Sequence, residues 1–395
     1  MLAYGRPLKV LHVIVCLELG GAELMLKRLI TSDQSNPQVR HSVISLTKLG
    51  IVGQQLRALG VEVNTLEMQS VLGFPFVIWQ IVRIIRGSKV DIVQTWMYHG
   101  DLLGGLASRL AGNKNVFWGI RCSATPLRRF SANRLTVMLC AWLSRFIPSK
   151  IVCCAEAART AHVAKGFCAE KMIVIPNGYD LSLFQNTPSL RSETRARFGI
   201  ADNAVVIGIV GRFDALKDHR NFVRAVAIIC KKYDNLKFLM VGRGISSSNK
   251  ILQSWITVSG AQNHFLLAGE RLDIPACLAC MDVFCLSSTA EGFPNVICEA
   301  MAMNVPCVVT DVGDAASIVA DTGIVVPPQD SVKLALAMET MIAKGACERQ
   351  RLGNLARARI QEHYSIQTVA SRFGRLYALV DTTRNLQYFD AGHDQ

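Results

Sequence analysis

The sequence predicts an α/β protein built from two doubly wound domains facing a cleft. Three observations carry this. The length of 395 residues fits about two domains. Short apolar runs alternate with longer amphipathic stretches along most of the chain. A polar, turn-rich interruption at 176–200 divides that pattern into halves. Continuous apolar runs mark strands buried on both faces, as in a parallel sheet covered by helices. Such sheets bind ligands at the carboxyl ends of their strands, and two facing sheets make a cleft.

The elements follow in order. Residues 10–15 read as the first strand and 22–30 as the helix behind it. Strands at 43–46 and 61–66 flank a helix at 52–59. A strand at 90–95 precedes a helix at 102–110, and a strand at 116–120 precedes a helix at 133–146. A strand at 151–154, a helix at 156–165 and a strand at 172–175 close the first set. Segment 176–200 reads as a linker, because its Pro, Gly, Asn, Ser and Thr favour turns. The alternation restarts with strands at 205–210, 238–241, 265–267, 283–286 and 305–310. Helices at 218–232, 248–259, 274–280, 294–303 and 314–320 interleave with them. Helical patterns at 331–344, 348–361 and 366–380 end the chain. The expected domains are 1–185 and 186–365, with 366–395 as a terminal segment.

Composition excludes several classes. Hydrophobic residues make up 50% and charged residues 18%, unlike a disordered chain. The mean hydropathy of +0.27 raises the question of a membrane. The longest apolar stretches are 71–85, interrupted by Gln80 and Arg83, and 135–147, bounded by Arg134 and Arg145. Both are too short to span a bilayer. The N-terminus has one short apolar run and no small-residue cleavage site, so no signal peptide is expected and the cytosol is the expected compartment. The 13 cysteines are odd in number and sit in apolar runs, as reduced, buried cysteines do. Cys277 and Cys280 form one C-x-x-C without the second pair that a structural zinc needs.

Charge is uneven. Of 43 Lys and Arg and 30 Asp and Glu, residues 1–190 hold 21 basic against 10 acidic, a net of +11. The remainder holds 22 against 20, a net of +2. A basic domain attracts nucleic acid, anionic lipid or phosphorylated substrates. No nucleic-acid module or aromatic–basic interleaving is present. Arg83, Arg86 and Lys89, and then Arg128, Arg129, Arg134, Arg145 and Lys150, lie beside apolar, Trp-containing stretches, which suits an anionic membrane surface. Solvated helix faces are the alternative.

Candidate site residues sit just past strand ends. Gly20 and Gly21 open the first helix, where free N–H groups can meet an anion or the pair can simply make a tight turn. The loop is not G-x-G-x-x-G, which disfavours a dinucleotide site. His99 follows the fourth strand, as acid, base, hydrogen-bond donor or a structural residue. Arg121 follows the next strand and either binds an anion or stays solvated. In the second domain Gly211 permits close backbone approach, and Arg212 and Lys217 bring two cations to a helix start, a diphosphate site in outline. Gly242 and Gly244 make a second glycine loop. Glu291, Gly292, Phe293, Pro294, Asn295 and Val296 lead into a helix that carries Glu299. Backbone N–H groups at 293–296 can hold phosphate oxygens. Glu291 and Glu299, eight residues apart, fall within reach of one ligand. A carboxylate accepts two hydroxyl hydrogen bonds at once and suits a ribose or sugar diol.

Together these motifs resemble the retaining GT-B glycosyltransferases of glycosyltransferase family 4, often called group 1, over nearly the whole chain. The carriers are GGAE at 20–23, His99, PNGYD at 176–180, GRFDALKD at 211–218, LAGERLD at 267–273 and SSTAEGFPNVICEAMAMNVPCVVTDVGD at 287–314. The resemblance implies two Rossmann-like domains and a retaining hexosyltransferase. It implies a nucleotide-sugar donor, expected to be UDP-linked, and a lipid-linked or polysaccharide acceptor, as in lipopolysaccharide and other cell-surface polysaccharide synthesis. Arg212 and Lys217 would hold the donor diphosphate, Glu299 the ribose and Glu291 the donor sugar, with covalent attack by Glu291 a lesser reading. The backbone of 292–296 would meet sugar and phosphate. Arg271, with Gly269 and Glu270, would lie beside the base. Gly20 and Gly21 would approach the phosphates, His99 would face the reacting sugar, and Arg121 would bind acceptor. No cofactor, metal or nucleic acid is implied, and no D-x-D occurs. Segment 366–395 would cross back onto the first domain, and the enzyme would work at the inner membrane face. The alternatives are a soluble relative with a small acceptor, or a non-catalytic nucleotide- or sugar-binding relative.

Overall fold

The computed structural model describes residues 6–34, 36–70, 73–122 and 132–390, the last stretch with side chains from 134 to 380. Residues 123–131, among them Arg128 and Arg129, lie outside the described residues, as do 71–72. The chain packs as two units. One runs to Gly178 and resumes at Ile366; the other is Tyr179–Ser365.

The first unit is a parallel sheet of β1 (Leu8–Ile14), β2 (Val39–Ser45), β3 (Glu62–Thr65), β4 (Ile92–Trp96), β5 (Val116–Ile120), β6 (Lys150–Cys153) and β7 (Met172–Val174), in the order β3-β2-β1-β4-β5-β6-β7. Its helices are α1 (Gly21–Ser32), α2 (Gly50–Ala58), α3 (Phe74–Ser88), α4 (Met97–Leu110), α5 (Ala132–Leu143) and α6 (Glu156–Val163). β4 and β5 are buried at every position, as strands covered on both faces must be. Helix α3 corrects the sequence reading, which treated 71–85 only as an apolar stretch. Val77, Ile81 and Ile85 turn inward at one-turn spacing, and Pro75 in the first turn lacks only an N–H that the helix does not use.

The second unit is a parallel sheet of β8 (Val205–Val210), β9 (Leu236–Val241), β10 (Phe265–Gly269), β11 (Val283–Leu286), β12 (Cys307–Thr310) and β13 (Ile324–Val326), ordered β10-β9-β8-β11-β12-β13. Its helices are α7 (Pro188–Arg197), α8 (His219–Ile229), α9 (Lys250–Ser259), α10 (Ile274–Ala279), α11 (Asn295–Ala302), α12 (Ala315–Val319), α13 (Ser331–Ala343) and α14 (Gly345–Tyr364). β13 has no counterpart in the sequence reading. Three residues are too few to register as a periodic run.

The expected linker is only partly a linker. It contains α7, capped by Thr187, and the division between units falls at Gly178/Tyr179 rather than after 185. α7 is polar, so its burial is electrostatic. Arg195 Nη2 and Arg191 Nη2 each lie 2.7 Å from Asp282, whose Oδ2 also accepts the Val206 N–H at 2.8 Å. No apolar stripe announces such a helix.

The last helix, α15 (Ile366–Asp390), belongs to the first unit. Ile366, Val369, Phe373, Leu376, Tyr377 and Val380 join one buried cluster with β1, α1 and α2. Phe373 stacks on Trp96 and lies beside Tyr377. The opposite face of the sheet is covered by α3, α4 and α5.

Candidate functional site

In each sheet the strand order reverses once, between β1 and β4 and between β8 and β11. Ligands of doubly wound folds bind at the carboxyl ends of the strands flanking such a reversal. The sequence motifs fall at these points.

In the second unit β8 runs into Gly211, whose N–H bonds the Val241 carbonyl at 2.8 Å. Gly242 has φ +148, and a Cβ there would meet the Gly211 carbonyl. Only glycine lets the ends of β8 and β9 approach this closely. Gly242 N–H in turn bonds the Gly269 carbonyl at 2.7 Å, so three strand ends are knitted through glycines. Asp214 caps the turn 215–217, and Asp218, left-handed at φ 44, caps α8 by accepting the Asn221 N–H. These caps fix Lys217 between them.

Lys217 Nζ lies 2.5 Å from Glu291 Oε1, and Ser288 Oγ donates to the same oxygen at 2.7 Å. Ser287 Oγ donates to the Lys217 and Asp218 carbonyls, and Thr289 N–H bonds the Leu216 carbonyl. The loop after β11 is thus tied to the loop after β8, and Lys217 and Glu291, two candidates the sequence reading gave separate roles, are brought together. Arg212 reaches outward, with Nε 3.1 Å from Asp214 Oδ2.

Gly292 carbonyl accepts the Asp314 N–H at 3.0 Å. Gly313, at φ +56, sits so close that a Cβ would meet Gly292 O at 2.4 Å. Phe293 is buried, with Tyr364 at 5.8 Å. Pro294 is the residue before α11, Asn295 and Val296 are its first two, and Glu299 lies one turn on. Glu291 stands outside this helix, so the two carboxylates are related by a loop and a turn of helix. Tyr179, fully buried, donates to Asn295 Oδ1 at 2.6 Å. Arg271 forks onto Asp273, at 2.8 and 2.6 Å, beyond the end of β10.

Sequence reasoning did not assign Tyr179, Ser288 or Gly313. The signals were present in PNGYD, in the Ser287-Ser288 turn and in TDVGD, but Tyr179 and Gly313 act on partners remote in sequence, and Ser288 matters through Glu291, whose other partner Lys217 is remote.

In the first unit Gly20 is the cap position of α1, and a Cβ there would meet Glu23 Oε2 at 2.3 Å. The helix start therefore lies against its own carboxylate, whose pKa burial raises. Cys16 Sγ approaches Glu23 Oε1 at 3.6 Å. β4 passes into α4 without a loop, through Met97 at φ 66. Gly100 lets α4 lie on β1, since a Cβ would meet Val13 O at 2.9 Å. These two backbone features put His99 in the first turn of α4, at the β1/β4 reversal. Burial lowers its pKa, which favours the neutral ring. Next to it, buried Asp101 accepts from Thr95 Oγ1 at 2.5 Å and from the Gly119 N–H at 3.1 Å. Burial pushes its pKa up to about 7.

Arg121 directly follows β5, at the strand end where the sequence reading placed it. Its guanidinium lies over Trp96 and Phe373, at 4.9 and 5.5 Å, and Nη1 donates to the Ile175 carbonyl and to Asn177 Oδ1. Nε and Nη2 are shut from solvent without a hydrogen-bond partner among the described residues. The aromatic faces hold the cation inward, where it braces α15. Among the described residues no group of three or more His, Cys, Asp or Glu could hold a metal, and no helix is long and apolar enough to cross a membrane.

Two family models match the chain: Glycosyltransferase Family 4 over residues 21–183 and Glycosyl transferases group 1 over 204–344. The Escherichia coli UDP-Gal:alpha-D-GlcNAc-diphosphoundecaprenol alpha-1,3-galactosyltransferase is 28% identical over 242 residues, covering 59% of this chain and 60% of that protein. The Staphylococcus aureus capsular polysaccharide biosynthesis glycosyltransferase CapM is 26% identical over 242 residues, covering 60% of this chain and 63% of that protein. The matched stretches span less than two thirds of either relative. The crystal structure of Anabaena Alr3699/HepE in complex with UDP is similar with a TM-score of 0.82 and 25% identity, covering 94% of this chain and 100% of that one. The two Rossmann-like domains are those of the GT-B fold.

Proposed function

Because the chain carries a glycosyltransferase family 4 domain and a group 1 domain, we propose that it transfers a sugar from a UDP-sugar, with retention, to a lipid-linked or polysaccharide acceptor. The process is cell-surface polysaccharide synthesis at the inner face of a membrane. The observation that carries this reading is the Lys217–Glu291–Ser288 cluster at the β8/β11 reversal, next to the start of α11. The names of the relatives, a UDP-galactose transferase and a capsular polysaccharide enzyme, support the donor and the process.

The chemistry follows from charge. The bond between the sugar's anomeric carbon and the diphosphate breaks, and its electrons go to the departing phosphate oxygen. Lys217 and Arg212 stabilise that growing charge more than they stabilise the ground state, which is what lowers a barrier. Donor arrival gives Lys217 phosphate oxygens in place of Glu291, and Glu291 turns to sugar hydroxyls while Ser288 keeps it aimed. Glu299 takes the ribose diol, and the N–H groups at the start of α11 face the phosphates. The acceptor hydroxyl attacks from the face the phosphate leaves, and its proton passes to the departing phosphate oxygen. His99, neutral, donates a hydrogen bond to the reacting sugar.

Calorimetric titration with UDP tests the donor site. The wild type binds, and Glu299→Ala weakens binding by about tenfold or more, roughly 1.4 kcal/mol. Equal affinity in the variant sinks the ribose role, and no binding by the wild type sinks the donor assignment. Transfer of labelled sugar to a polyprenyl-diphosphate-linked sugar then tests the acceptor.

A further inference from the structure

We infer that the outward face of α5, with the neighbouring end of α3, is a docking surface for an anionic lipid bilayer. The inference rests on the proposed lipid-linked acceptor and assigns the surface that would meet it. A surface helix ordinarily turns one apolar stripe inward and a polar face to water. α5 does not. Val137, Cys140 and Ala141 face the core, yet Leu135, Met138, Trp142 and Phe146, on and just after α5, are 59–64% exposed. With Leu139 they recur at the spacing of one helix face, so they form one stripe. On α3, Phe76 and Trp79 are 60% and 50% exposed and stack on each other. α3 and α5 both pack against α4. Exposed apolar side chains gathered on one helix face, as on α5, mark a partner or a membrane.

Charge selects the bilayer. Residues 102–155 contain eight Lys and Arg and no Asp or Glu, and residues 68–90 contain three and none. Arg145 is exposed beside the stripe, and Arg83 lies over the Trp79 ring at 4.8 Å. Apolar side chains with Trp, flanked mainly by cations, are what an interfacial helix presents to acyl chains and anionic headgroups. Glu170, beside Arg145, is an acid at that end, and a protein partner of mixed charge would call for more acids than that.

Topology gives the surface an orientation. In a parallel α/β unit each helix runs back from the carboxyl to the amino ends of the strands. Phe76 and Trp79, His99, and Leu135 lie in the first two turns of their helices, while Met138, Trp142 and Phe146 continue the stripe toward the other end of α5. Phe76, Trp79, His99 and Leu135 set the end that faces the acceptor. They therefore share the strand-carboxyl end of the layer. A lipid-held acceptor would rise from the bilayer at the end where His99 stands.

Flotation with phosphatidylglycerol–phosphatidylethanolamine vesicles tests this, with phosphatidylcholine vesicles as control. The wild type should float with the anionic vesicles at low salt, and raised salt should weaken the association. The double variant Met138→Ser/Trp142→Ser should lose about tenfold or more of the binding. Arg145→Gln, which leaves the apolar stripe intact, should lose less and mainly at low salt. Brominated acyl chains should quench wild-type tryptophan fluorescence, and Trp142→Phe should remove part of that quenching. Absence of flotation, or flotation unchanged in the double variant, overturns the inference. So does a wild-type dimer in solution that the double variant turns into a monomer, because the stripe would then be a self-association face. UDP stabilisation reads the donor site separately. If vesicles bind but UDP does not, the docking surface stands and the proposed function falls.

Discussion

Asp101 shows how one buried side chain sets a pH dependence. Burial outweighs the hydrogen bonds from Thr95 and Gly119 and the charge of Arg121, and lifts the carboxyl from 3.8 to about 7. The sign follows from proton counting. Between about pH 4 and 7 the folded protein keeps a proton that the unfolded chain has released, so this group's contribution to stability falls as pH rises through that window and levels off above it. The size is on the order of a few kcal/mol. Asp101→Asn keeps the acceptor oxygen and removes the titration. Chemical denaturation at pH 5 and pH 8 should show the variant gaining on the wild type at pH 8. A wild-type profile that rises over the same interval by the amount the variant's does would refute the assignment.

Elements here are held by contacts that local pattern does not reveal. Gly313 is the clearest case. Its φ of +56 and the 2.4 Å approach of a would-be Cβ to Gly292 O leave no room for a side chain between the end of β12 and the loop before α11. Gly313→Ala should cost about 1–2 kcal/mol for the left-handed backbone alone. It should also push the 291–294 loop off the helix start. Thermal unfolding and UDP titration of the variant check this, with a lower Tm and weaker UDP binding expected together. Tyr179 acts on the same element by fixing Asn295. Most strands and helices were legible, because their runs are long and apolar. α7 and β13 were not: one is anchored by Arg195 and Asp282 and the other is three residues long. α3 was legible as apolar and not as helical, since Arg83 lies on its exposed face and Gln80 is half-buried beside the apolar stripe.

At the scale of the molecule the chain leaves its first unit at Gly178 and returns to it at Ile366. Phe373, fully buried, closes that return by stacking on Trp96 and lying near the Arg121 guanidinium. Phe373→Ala should destabilise the first unit by about 3–5 kcal/mol, and truncation after residue 365 should be worse, since it uncovers the whole stripe from Ile366 to Val380. Denaturant unfolding followed by tryptophan fluorescence reads the effect, because Trp96 and Trp118 belong to the first unit. Unchanged stability of the Phe373 variant would mean that α15 is not part of that core. The charge asymmetry belongs to this scale too. Of the 21 Lys and Arg in residues 1–190, eight fall in residues 102–155, the acid-free segment that contains α5.

The sequence by itself determined the fold class, the two-unit plan and the identity of Lys217, Glu291 and the α11 start as candidates. Hydrophobic periodicity and loop glycines are local properties, and they are written in order along the chain. Only the tertiary structure decided which candidates meet. It joined Lys217 to Glu291 across 74 residues, set Tyr179 on Asn295 across 116, and turned Arg121 from the strand mouth into an aromatic clamp. Those outcomes depend on which strands neighbour one another and which faces are covered, and no stretch of sequence short enough to show a pattern contains both partners.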